Sequence, residues 1–178
     1  MASASHKKVI VRRTRGEILP GYLGLSGFVR NRALDLLDLS GRVVPLLLND
    51  IKMVSYVRDF NLNDTVNPER LARRTFLARP RTEGLWLRLT FTSGELLEGL
   101  APTDLTLLDD LVNDAGLFLI PPDIRSNTQR IFVPRTSISE LTLLAVVTSP
   151  SKKKPTVAPP SPQQDLFEAE LPPNSRPN

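Results

Sequence analysis

Arg70, Arg73, Arg74, Arg79 and Arg81 crowd into twelve residues near the middle of a 178-residue chain. Guanidinium is charged at every working pH and meets phosphate oxygens two at a time, so these five are the candidate anion-binding residues. Such a face suits a nucleotide, a cyclic dinucleotide or nucleic acid. The other reading is a solvated basic segment paired with acidic side chains elsewhere in the chain. Aromatic partners for base stacking are sparse: Phe60, Phe76 and Trp86 flank the arginines and read mostly as core.

Other chemistry is poorly supplied. His6 is the single histidine and sits close to the start, and there is no cysteine. The usual nucleophile–base pairs therefore lack their parts, and neither a disulfide nor a thiolate metal site can form. Asp109, Asp110 and Asp114 make the one acidic cluster, which reads as a solvated loop. Glu17 and Glu95 each follow a hairpin turn and read as exposed, too far apart to share a proton. No glycine-rich phosphate loop occurs. The expectation is a protein that is not an enzyme and carries no cofactor or metal.

The elements that would hold the arginines are β-strands, and they come twice. Gly16-Glu17-Ile18-Leu19-Pro20-Gly21 returns 78 positions later as Gly94-Glu95-Leu96-Leu97-Glu98-Gly99. Each copy follows a strand-like run, Lys8–Arg13 and Leu85–Phe91, across a turn at Arg15-Gly16 or Ser93-Gly94. Later, Asp50-Ile51-Lys52-Met53-Val54 matches Ser137-Ile138-Ser139-Glu140-Leu141 in the same order. Pro45 marks an edge or bulge position, Asn49-Asp50 a turn or short 3₁₀ element, and Ser126–Arg130 a polar hairpin tip. Gly21 and Gly24 mark bends in a curling strand. Trp86 is expected in the core or between the copies. The predicted fold is mainly β: two tandem small, partly open β-barrels, at residues 7–57 and 83–148, produced by internal duplication.

Residues 58–82 link the copies. Asn67 is a good N-cap, Pro68 fits the first helical position and Glu69 suits the helix dipole, which predicts a short helix from Pro68 to about Phe76. That helix would place Arg70, Arg73 and Arg74 on one face. Residues 149–178 hold eight of the sixteen prolines and the run Lys152-Lys153-Lys154, a composition that predicts a disordered tail. Asp165–Leu171 alternates acidic and apolar residues and could dock on a partner.

The formal net charge is +4, but it is unevenly spread. Residues 1–81 carry +8 and residues 82–148 carry −5. A basic first half invites an anionic partner, unless the halves face and neutralise each other. No apolar stretch resembles a signal peptide or a spanning helix, so the expected location is the cytoplasm.

Four strings carry a family resemblance: Val57-Arg58-Asp59-Phe60, Pro68-Glu69-Arg70-Leu71, the run Arg79–Trp86, and the run Ser126–Arg135. Together they make residues 7–147 look like an uncharacterised bacterial family, common in acidobacteria-like genomes, with no activity to carry over. In fold, each repeat is similar to the small barrels of Sm-like and SH3-like proteins, without the RNA-binding loop motifs of Sm proteins. PilZ-like barrels bind cyclic dinucleotides through Arg-x-x-x-Arg, a spacing shared by Arg70 and Arg74, and a later Asp/Asn-x-Ser-x-x-Gly. No such second motif follows here. The leading expectation is a non-catalytic binding or regulatory module acting through protein–protein contacts, with nucleotide or nucleic-acid binding by the arginines as the alternative.

Overall fold

Val9, Ile10 and Val11 are β-branched and apolar, and they open the first strand, β1 (Lys7–Arg13). It turns at Gly16 into β2 (Ile18–Leu23), followed by β3 (Val29–Arg30), β4 (Ala33–Asp38) and β5 (Val43–Leu47). A 3₁₀ turn at Leu48–Asp50 leads into β6 (Ile51–Val57). The second half begins with β7 (Gly84–Phe91) and β8 (Leu96–Ala101), then β9 (Gly116–Leu119) and β10 (Thr128–Pro134). A second 3₁₀ turn, Arg135–Ser137, leads into β11 (Ile138–Val147). This is a computed structural model, and it describes residues 6–25, 27–63, 72–105, 107, 111–112, 115–123 and 125–148. Arg70, the expected helix start at Pro68, the acidic residues Asp109, Asp110 and Asp114, and the tail lie outside those residues.

The duplication extends to individual hydrogen-bonded pairs. In the first half β1 lies between β2 and β6, β2 pairs with β4, and β4 pairs with β5. In the second half β7 lies between β8 and β11, and β9 pairs with β10. A bridge from Leu100 to Ile120 joins β8 to β9. Both halves thus run in one strand order, β5-β4-β2-β1-β6 and β10-β9-β8-β7-β11. Val9 opposite Gly21 becomes Leu87 opposite Gly99, and Leu34 opposite Leu46 becomes Leu117 opposite Val133. Even the irregularity repeats: β6 skips a residue between Ile51 and Met53 against β1, as β11 does between Ile138 and Glu140 against β7. Arg32 and Ala115, both at positive φ, accept from the first residue of each 3₁₀ turn.

Two separate barrels were expected, and the strands arrange differently. β6 pairs with β10, so the first half and the β9–β10 hairpin form one eight-stranded sheet, while β11, β7 and β8 form a three-stranded one. No ladder closes either half into a barrel among the described residues. Successive side chains on a strand face opposite ways, and β9 and β10 use both faces. Phe118 and Phe132 enter the first half's core with Val9, Val54 and Tyr56. Leu117, Leu119, Ile131 and Val133 enter the second with Leu87 and Phe91. A strand pair shared by two cores is why the halves do not stand apart.

The expected helix from Pro68 to Phe76 is also corrected. The described part, Ala72–Phe76, is neither helix nor strand and bends at Arg74 and Thr75. Its backbone groups are taken by β8 instead: the Glu98 N–H donates to the Arg74 carbonyl at 2.7 Å, and the Phe76 N–H donates to the Glu98 carboxylate at 3.0 Å. Among the described residues, no helix is long and apolar enough to cross a membrane.

Candidate functional site

Glu98 organises the surface where the arginines lie. It sits on β8, is 2% exposed, and is ringed by donors. One carboxylate oxygen accepts from Arg88 Nε at 2.9 Å and Nη2 at 2.6 Å. The other accepts from Phe76 N–H and from Trp86 Nε1 at 3.2 Å. Burial pushes this carboxyl up, but the Phe76 N–H, the Arg88 guanidinium and the Trp86 N–H outweigh it and hold it below the ordinary glutamate value. Trp86, expected in the core or between the copies, is half-buried on β7 and packs against the linker. Its ring meets Phe76 edge-on at 5.8 Å and clamps the linker onto the three-stranded sheet.

Glu95, one turn earlier, ties the linker to the first half. It bonds Lys52 of β6 at 2.6 Å and Arg74 at 2.8 Å. The Lys52 hydrogen bond, with Arg74 and Arg12 nearby, holds its carboxyl below the ordinary range. Glu17, its counterpart in the first repeat, pairs with Arg13 at 2.8 Å. Glu95 is exposed, as expected, and two cations converge on it.

The four described arginines have different surroundings. Arg74 is spent on Glu95, Arg79 reaches the Val146 carbonyl at 3.5 Å, and Arg73 and Arg81 are exposed. Arg73 and Arg74 border a small recess with Arg12, Met53 and Ile131. A larger cleft of about 600 Å³ lies between β8, β9 and β10, lined by Leu100, Asp104, Ile120, Gln129 and Arg130. Among the described residues no three His, Asp or Glu side chains gather where a metal ion could sit.

The polar turn before β10, read in the sequence as a hairpin tip, could have displayed hydrogen-bonding groups to a ligand. Asn127 faces the chain instead: its side chain accepts from Asp59 N–H at 2.9 Å and donates to the Asp59 carbonyl at 2.7 Å. The Arg58 N–H donates to the Asn127 carbonyl at 3.0 Å. Two of the strings singled out in the sequence, around Asp59 and around Asn127, thus meet in space.

Two strand edges are open to the surface. Among the described residues β5 pairs with β4 alone and β11 with β7 alone. Both carry exposed apolar side chains: Val43 and Leu47 on β5, and Leu141, Leu143 and Val146 on β11. Pro45 had marked β5 as an edge; nothing in its own residues marked β11. No curated protein and no solved structure matches the chain. Residues 5–145 match the model of a family of unknown function (DUF6982), and the chain belongs to that family.

Proposed function

We propose that the protein is a non-catalytic binding module that works through protein–protein contacts. The observation that carries this is the pair of open strand edges, β5 and β11, each lined with exposed leucine or valine. An open edge offers unpaired N–H and C=O groups, and an added strand supplies both the ladder and apolar cover. One histidine and no cysteine support a non-catalytic reading. The strand order of each repeat supports likening it to Sm-like or SH3-like barrels, and the cytoplasm is the setting this reading takes. The test is affinity capture with the full chain, a Val43→Lys variant, a Leu143→Lys variant and a chain ending at residue 148. A partner retained by the parent and lost by an edge variant is the expected outcome. An identical set from all four would sink the role of both edges and tail.

The second reading is anion binding through the exposed Arg73 and Arg81. Its support is narrower than the sequence suggests, because Arg74 is held in an ion pair with Glu95. Binding of cyclic dinucleotides and short RNA is measured at two salt concentrations, with an Arg73→Ala/Arg81→Ala variant. Phosphate contacts weaken steeply as salt rises, so affinity insensitive to both salt and the substitutions would remove this reading.

A further inference from the structure

The junction inside the chain is a template for a junction between chains. β6 ends the first repeat, and it pairs antiparallel with β10, the fourth main strand of the second. Phe132 lies opposite Val54, Ile131 opposite Ser55 and Arg130 opposite Tyr56. By the repeat correspondence, β11 is the counterpart of β6 and β5 is the counterpart of β10. The same two halves of the junction thus recur at the ends of the molecule, and there, among the described residues, no second strand pairs with them. Val54 and Tyr56 are 0% and 3% exposed, whereas their counterparts Leu141 and Leu143 are 48% and 54% exposed. Phe132 is fully buried, while its counterpart Pro45 is exposed.

We infer that β11 of one molecule pairs with β5 of another copy of the same chain, in the register of the internal junction. Leu143 then lies opposite Val43, Thr142 opposite Val44, and Leu141 opposite Pro45. The sheet extends from chain to chain, and the second half's core gains the cover that Phe118 and Phe132 give the first. Proline has no N–H, so Pro45 removes at most one donor from this ladder. Because the two surfaces differ, the contact is head to tail. Such contacts close into rings or run on as filaments according to the rotation at each step. The inference rests on the edge-binding reading above and names the partner as a second copy.

The purified full chain is followed by light scattering after size exclusion, across micromolar concentrations. A mass of two or more chains is expected. Val43→Lys blocks one edge and Leu143→Lys the other, and each variant alone should run as a monomer. Both side chains are exposed, so circular dichroism and melting should match the parent. An equimolar mixture of the two variants should give a dimer and nothing larger, because one intact β5 then meets one intact β11. A monomeric parent overturns the inference. So does a Val43→Lys variant that still self-associates, which would mean that like edges pair. A monomeric parent whose edge variants lose a captured foreign protein would defeat self-assembly while leaving the edge-binding reading intact.

Discussion

Glu98 shows how one buried carboxylate can set a surface. Its donors come from the linker and from β7, so removing its charge should loosen both. Glu98→Gln is expected to lower stability at pH 7 by about 2 kcal/mol, the scale of a charge-assisted network left with unmatched donors. A depressed carboxyl pKa contributes stability that is fully present above the unfolded value, about 4.3 for glutamate, and lost as pH falls through the folded value. The gap between parent and variant should therefore shrink below about pH 4.3. Thermal melts from pH 7 to pH 3 check this, and a gap that stays constant would mean the ring of donors contributes little.

β2 and β8 each cross a neighbouring strand too closely for a side chain. A Cβ placed on Gly21 would lie 2.6 Å from the Leu37 carbonyl oxygen, and one on Gly99 would lie 2.7 Å from Leu119 Cβ. The turn glycines differ, since Gly16 and Gly94 have φ of +91° and +84° with open space around them. Gly21→Ala and Gly99→Ala should each cost about 1–3 kcal/mol through overpacking. Gly16→Ala should cost about 1 kcal/mol, through backbone strain alone. Urea midpoints of the variants order these effects. Equal losses at Gly16 and Gly21 would mean that the close crossing of β2 and β4 is easily relaxed.

Across the whole molecule, the shared hairpin makes the two halves interdependent. Phe118 and Phe132 are coded in the second repeat and packed in the first, where Phe28 meets their rings at 5.9 Å and 5.1 Å. Phe132→Ala should destabilise the protein by about 3–5 kcal/mol, as expected for an emptied aromatic site. Amide exchange should then speed up in β1, β4 and β6 as well as in β10. Faster exchange confined to β9 and β10 would show that the first half's core stands without them.

The repeat, the turns, the strand positions and the edge character of β5 were legible in the sequence, because they follow from local signals: alternation, glycine at turns and proline in a strand. The arginine cluster was legible as composition but not as a site. Arg74 pairs with a glutamate 21 positions away, and the helix that would have aligned the arginines gives way, in its described part, to an irregular segment bonded to Glu98. Nor could one repeat show that its neighbour completes its core. Residues of the same type occupy Val54 and Leu141, one buried and one exposed, and only the pairing of β6 with β10 separates them. Local propensity determined the repeated strands and turns; long-range pairing decided which edges were covered and which were left open.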